Sequence, residues 1–179
     1  MKLLVTTVLI VVLTCSAMSQ QPYAGLQNRS IKTLSDQQIA DLNDGRGMGL
    51  ALAAELNGYP GPIHAIELAE QLRLSPDQVD KLKSLFEAMK AETIPLGATL
   101  ISEERSLNKD FANRTVTLWS LKGTTERIGT TQAALRAAHL KYHLSTVEIL
   151  TADQMTRYNE LRGYSSGGMP AHGEHQHHQ

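Results

Sequence analysis

The chain has 179 residues, with 17 Lys and Arg against 18 Asp and Glu, and a net charge of −1 at pH 7. A near-neutral composition of mixed charge does not suggest a nucleic-acid-binding protein, so no nucleic-acid partner is expected. Only 4% of the residues are aromatic, and long alternations of Val, Ile and Tyr are absent, which argues against a β-sandwich. The length suits one domain with a modest core.

The N-terminus predicts export. Lys2 is followed by an apolar run over 3–13 and then by small residues up to Ser19, the layout of a secretory signal peptide. We place this signal peptide at 1–19 and expect the exported chain to reside in a bacterial periplasm. The run is shorter than the about 20 residues of a membrane-spanning helix. Cys15 is the only cysteine, and anchoring of a lipoprotein through it is a minor alternative. If Cys15 is removed with the signal peptide, the mature chain can form no disulfide.

Residues 20–33 show no sustained periodicity and contain Pro22 and Gly25, so they predict a flexible arm. A helical domain is predicted over 34–163. Within it, three segments share one pattern, in which a leucine precedes a Ser or Thr and a Gln follows that residue by three positions. The segments are Leu34-Ser35-Asp36-Gln37-Gln38, Leu74-Ser75-Pro76-Asp77-Gln78 and Leu150-Thr151-Ala152-Asp153-Gln154. This pattern is the capping box with a hydrophobic staple, and each copy predicts a helix start.

The first predicted helix extends to about Gly58. Its middle holds Gly45, Gly47 and Gly49, each of which weakens a helix by about 1 kcal/mol relative to Ala. We favour a break or kink here, and the alternative is a close approach by another backbone. A short helix is predicted over 63–72.

Two long helices follow the second capping box. Apolar residues spaced by three and four run from Val79 to Phe111, and the pattern resumes at Leu121 after a turn capped by Thr117. Because so short a turn joins them, the two helices must be antiparallel neighbours. The third capping box starts a last helix that ends at Gly163. The predicted fold class is therefore all-α, with a long antiparallel helical hairpin.

The second and third capping boxes frame this hairpin in an exported chain, and that arrangement resembles the LTxxQ family of periplasmic proteins over roughly residues 60 to 163. The family includes Spy/CpxP-type chaperones, the zinc-linked ZraP and the CnrX-type periplasmic heavy-metal sensors. The resemblance implies a four- to five-helix cradle that forms a homodimer and binds unfolded clients on a concave face. In some members it also implies binding of divalent metals.

Two histidines of the second long helix are candidate metal ligands. His139 and His143 are four residues apart, so both imidazoles lie on one helix face, a spacing that can chelate a divalent ion. Antiparallel pairing of the long helices puts Glu87 opposite them as a third candidate ligand. The resemblance to the metal-sensing members implies ligands at the same place, just upstream of the third capping box. The alternative is that His139 is merely packed between the helices.

Residues 164–179 lack the apolar side chains of a core and predict a disordered, His-rich tail. Its histidines are His172, His175, His177 and His178. Neutral imidazoles bind zinc, nickel or copper, so the tail should have some metal affinity. Incidental binding by a solvated tail is the alternative, and no cofactor is expected to be obligatory.

No enzymatic activity is expected, because the exported chain has no nucleophilic cysteine, no HExxH motif and no glycine-rich phosphate loop. The leading hypothesis is a Spy/CpxP-like ATP-independent chaperone of the envelope stress response, which holds unfolded or envelope protein clients and binds divalent metal. The alternative is a periplasmic heavy-metal sensor that relays metal occupancy to a membrane-bound sensor or anti-sigma partner. A third hypothesis is a structural envelope protein with neither activity.

Overall fold

The computed structural model of the chain describes residues 23–164. The predicted signal peptide with Cys15, and the predicted tail from residue 165 onward, lie outside the described residues. The described range contains six α-helices, which are α1 (Asp36–Asn43), α2 (Leu52–Glu55), α3 (Pro62–Glu67), α4 (Pro76–Ala112), α5 (Leu118–Val147) and α6 (Ala152–Arg162). The all-α prediction is confirmed. The helices number six rather than four or five because the first predicted helix is split in two.

The predicted helix starts carry the predicted capping boxes. Ser35, Ser75 and Thr151 each accept a hydrogen bond from the backbone amide three residues later, and the Gln side chain at that position accepts one from the cap residue. Thr117, the predicted cap of α5, forms the same reciprocal arrangement with Ser120. Because these bonds close within one turn, the local sequence is enough to place each helix start.

Helices α4 and α5 form the antiparallel hairpin. Gln78, early in α4, bonds to the carbonyl of Ile149 after the end of α5, whereas Glu92 accepts a hydrogen bond from Tyr142 further back in α5. Two clusters of buried apolar side chains hold the remaining elements to this hairpin. The larger contains Ile31, Leu42, Leu100, Ile101, Ile128 and Leu135, and the smaller contains Ala65, Leu82 and Leu150. None of the described helices is long and apolar enough to cross a membrane.

The prediction of a flexible arm over 20–33 is wrong for its C-terminal part. Ile31 is 1% exposed and belongs to the larger apolar cluster. The hydroxyl of Thr33 donates to Glu104 Oε2 of α4 at 2.7 Å. The segment has no periodicity because it has no long regular element. One buried side chain and two hydrogen bonds, from the Thr33 hydroxyl to Glu104 and from the Lys32 amide to Asn108, nevertheless hold it against α4.

The glycine-rich segment breaks the first predicted helix between α1 and α2, as favoured from the sequence. Gly45 and Gly49 have φ angles of 69° and 82°, in the left-handed region that other residues rarely adopt. Side chains of the hairpin, rather than another backbone, are the nearest neighbours of two of these glycines. A Cβ at Gly45 would lie 2.8 Å from Thr93 Oγ1 of α4, and one at Gly47 would lie 3.6 Å from His139 Nδ1 of α5. The segment therefore lies against both helices of the hairpin.

Candidate functional site

A cleft of about 770 Å³ lies between the hairpin and the chain segment over 44–64. Helix α4 contributes Phe86 and Met89 to its lining, and α5 contributes His139 and His143. The glycine-rich segment, α2 and the start of α3 form the remaining wall. The cleft therefore exists because the first predicted helix is broken and folds back over the hairpin.

His143 is oriented by the backbone of the turn before α3. Its Nδ1 lies 2.6 Å from the carbonyl oxygen of Tyr59. Because a carbonyl oxygen only accepts hydrogen bonds, Nδ1 must carry the proton, and in the neutral ring Nε2 keeps its lone pair. A hydrogen bond of this kind to a backbone carbonyl commonly orients metal-ligating histidines. Gly61 makes room for the ring, since a Cβ there would lie 3.1 Å from His143 Nε2.

His139 is 3% exposed, and its Nε2 is buried with no hydrogen-bond partner among residues 23–164. Burial lowers the pKa of His139, and the nearby imidazole of His143 lowers it further, so the His139 ring is neutral at pH 7. A buried polar atom without a partner costs about 1–3 kcal/mol. Burial fits the packed alternative, and the unpaired nitrogen is the feature that the packed alternative leaves without an explanation.

The structure does not bring Glu87 together with these histidines. Glu87 lies on the exposed surface of α4 and does not line the cleft. Antiparallel pairing predicts only how far along the hairpin Glu87 lies. The rotation of α4 about its own axis decides which side chains face the cleft, and these are Phe86 and Met89. Within residues 23–164, no group of three or more His, Cys, Asp and Glu side chains is placed to hold a metal ion. The described residues thus provide a histidine pair rather than a complete metal site.

Glu55 is the carboxylate that the fold does bring to the cleft. It is 6% exposed, and its Oε2 accepts a hydrogen bond from the Gly61 amide at 3.3 Å and lies 3.8 Å from His143 Nδ1. Its Oε1 accepts a hydrogen bond from the Tyr158 hydroxyl and lies 3.6 Å from Arg162 Nε. Sequence reasoning missed Glu55, because a glutamate within a short helical stretch normally faces solvent.

Tyr158 connects α6 to this cluster. Its side chain is fully buried, and burial raises the pKa of Tyr158, with the hydrogen bond to Glu55 raising it further. The hydroxyl therefore stays protonated and acts as a donor. The Glu55 carboxylate of α2 thus contacts three other parts of the chain, which are helix α5, helix α6 and the turn that precedes α3.

The second and third capping boxes contact each other at the base of the hairpin. Gln78 Nε2 donates to Gln154 Oε1 at 2.8 Å, and Gln154 Nε2 donates to Gln78 Oε1 at 3.1 Å. The same amide groups also donate to the carbonyls of Ile149 and Leu72. Each glutamine therefore caps its own helix and links that helix to the other capping box. The sequence identified both motifs but gave no sign of this contact.

Four apolar side chains lie exposed on the segment 48–59, and two of them, Met48 and Leu52, line the cleft. The four are Met48, Leu52, Leu56 and Tyr59, each at least 41% exposed, and we call them the apolar rim. The tail histidines His172, His175, His177 and His178 lie outside the described residues, so their position relative to the cleft stays open. Comparisons of the chain with protein-family models, with curated proteins and with solved structures find no match.

Proposed function

We propose that the protein is a non-enzymatic, ATP-independent chaperone of the bacterial cell envelope, of the Spy/CpxP type that its LTxxQ-like motifs resemble. The observation that carries this proposal is the apolar rim beside the cleft. Groups of exposed apolar side chains commonly mark binding surfaces on soluble proteins. Unfolded or envelope protein clients expose the apolar segments that such a surface would cover.

The composition of the cleft suits varied clients better than one small ligand. Met48 and Met89 line it beside Phe86, and flexible methionine side chains adapt to partners of different shape. Charges of both signs are also present, with Arg46 3.3 Å from Asp44 at one edge. A mixed apolar and polar lining accommodates unfolded segments of mixed composition without selecting one sequence.

Client holding is tested by light scattering of a denatured model protein that aggregates on dilution. The mature protein at stoichiometric ratio should suppress aggregation without ATP. Leu52→Ser combined with Leu56→Ser should remove most of this activity, because it removes half of the apolar rim. Leu161→Ser is the matched control, since Leu161 is 37% exposed on α6 outside the cleft. Unchanged scattering at several-fold excess of the parent protein would reject the chaperone proposal.

A second proposed property is binding of zinc, nickel or copper, favoured by the unpaired Nε2 of His139. We propose His139 and His143 as two neutral imidazole ligands, and the tail histidines as further ones. We expect deletion of 165–179 to remove most metal binding, measured by calorimetric titration, while helicity and the melting transition stay nearly unchanged. His139→Ala combined with His143→Ala should remove the remainder.

The pH dependence of metal binding separates the two sets of histidines. A metal competes with protons for the imidazole lone pair, so an ordinary imidazole loses its metal as the pH falls below about 6.5. Because the pKa of His139 is lowered, the metal at the folded pair should persist to lower pH than the metal at the tail. If the tail-deleted protein keeps full affinity and the double substitution abolishes it, the heavy-metal sensor hypothesis replaces the chaperone proposal. Its partner would then be a membrane-bound sensor or anti-sigma protein.

A further inference from the structure

The hairpin ends, far from the cleft, in an exposed apolar tip. We define the hairpin tip as residues 105–123. Leu118 and Trp119 are each 88% exposed, and Phe111 is 55% exposed. Lys90 lines the cleft, and at a rise of 1.5 Å per residue Phe111 lies about 30 Å further along α4. The tip and the cleft share no residue, so the exposed apolar side chains of the tip need an explanation of their own.

The hairpin tip is also the basic end of a nearly neutral molecule. Its basic residues are Arg105, Lys109, Arg114 and Lys122, and all four are exposed. Asp110 is its single acidic residue. Lys122 lies 3.8 Å from Glu126 just beyond the tip, and the other three basic residues form no ion pair within residues 23–164. With Glu126 counted beside Asp110, the basic residues exceed the acidic ones by two, so an excess of two positive charges surrounds the apolar side chains.

The apolar area of the tip is too small for a stable protein interface. A buried aromatic side chain covers about 150–250 Å², so the two aromatic residues with Leu118 cover roughly 500 Å². A standard interface needs about 800 Å² from each partner. A lipid bilayer requires no matching shape, and Trp is enriched at the level of the headgroups. Small area, an exposed Trp and excess positive charge together fit the surface of an anionic membrane.

We propose that the hairpin tip docks on anionic lipid bilayers, with Phe111, Leu118 and Trp119 inserted at the headgroup boundary. The basic side chains around them contact the lipid phosphates, and each contributes about fivefold to the affinity, the equivalent of about 1 kcal/mol. Insertion of a few side chains makes the protein peripheral rather than membrane-spanning. The hairpin then holds the cleft about 30 Å from Phe111 along α4, where a client in the aqueous phase has access to it.

Trp119 provides a direct test, because it is the only tryptophan in the chain and its emission reports on the tip alone. The mature protein, residues 20–179, is titrated with vesicles of phosphatidylglycerol and, separately, of phosphatidylcholine. We expect the emission to shift to shorter wavelength and acrylamide quenching to fall with phosphatidylglycerol only. High salt should reverse the shift, since it screens the attraction to the headgroups. Leu118→Asp should abolish the shift while circular dichroism and the melting temperature stay unchanged.

Charge variants distinguish docking by the tip from a general electrostatic attraction of the protein to anionic lipid. Lys109→Gln combined with Arg114→Gln should weaken phosphatidylglycerol binding about 25-fold, from about fivefold for each basic side chain. The matched control, Lys81→Gln with Arg157→Gln, removes two exposed charges at the other end of the hairpin and should leave binding unchanged.

Three results would overturn the proposal. One is an unshifted Trp119 emission at large lipid excess, and another is an equal shift with both lipids. The third is a shift that needs no lipid and grows with protein concentration, which would make a second copy of the chain the partner of the tip.

Discussion

Helices begin with the same capping-box motif at the base and at the tip of the α4–α5 hairpin, but the side chains of the motif make different contacts at the two ends. At the base, Gln78 and Gln154 close their own capping boxes and also bond to each other. At the tip, the box of Thr117 closes only on Ser120, and Trp119 beside it stays exposed. The same local motif is therefore a tertiary contact at one end and only a helix start at the other. This difference predicts that stability is concentrated at the base and that the tip is free for interactions.

The largest effect on stability is expected at the base from Glu55→Ala, which leaves the Tyr158 hydroxyl and the Gly61 amide without their acceptor. Each buried unpaired group costs about 1–3 kcal/mol, so the free energy of unfolding should fall by about 3 kcal/mol. Urea denaturation measures this change. Glu160→Ala is the control, because its pair with Arg157 is exposed and should contribute at most about 1 kcal/mol. Equal losses for the two variants would contradict a stabilising role of the buried cluster.

Two glycines in the middle of the hairpin are expected to have opposite effects on stability when each is replaced by alanine. A Cβ at Gly97 would overlap the carbonyl oxygen of Leu42, where α1 crosses α4, whereas a Cβ at Gly129 of α5 would meet nothing within 4 Å. Gly97→Ala should therefore cost about 1–3 kcal/mol through overpacking. Gly129→Ala should stabilise the protein by about 0.5–1 kcal/mol, because alanine favours the helix. Melting curves that shift in the same direction would argue against the close α1–α4 crossing.

The glutamine pair is expected to give a smaller effect. A double-mutant cycle of Gln78→Ala and Gln154→Ala should show a coupling of about 1 kcal/mol in the free energy of unfolding. Gln38 occupies the same position in the first capping box, but among the described residues its side chain bonds only within its own box. The cycle of Gln38→Ala with Gln154→Ala should therefore be additive within about 0.5 kcal/mol. Additivity in both cycles would mean that the capping boxes act independently.

The smallest effect is expected at the tip. Trp119→Ser and Leu118→Ser should each change the free energy of unfolding by less than about 0.5 kcal/mol, because neither side chain is buried and surface changes are usually within that range. Chemical denaturation followed by circular dichroism measures this, since the first variant has no tryptophan. A loss above 1 kcal/mol would show that the tip packs against another part of the molecule, in conflict with its exposure.

The sequence by itself determined the features that close within a few residues. Each capping box is completed within three positions, so the starts of α1, α4, α5 and α6 could be predicted from the motif alone. The spacing of His139 and His143 places both rings on one helix face because the α-helix has 3.6 residues per turn. The short turn between the long helices likewise required an antiparallel hairpin. These predictions needed no knowledge of any other element.

Only the tertiary structure decided which faces and distant residues meet. Glu55 and Tyr158 are 103 positions apart, and no local pattern distinguishes a glutamate that will be buried from one that will face solvent. The rotation of α4 turned Phe86 toward the cleft and left Glu87 on the surface, although the two are neighbours in sequence. Packing also ordered the segment around Ile31, which the sequence predicted to be flexible. Side-chain burial depends on contacts between elements, whereas periodicity and capping report only on the element itself.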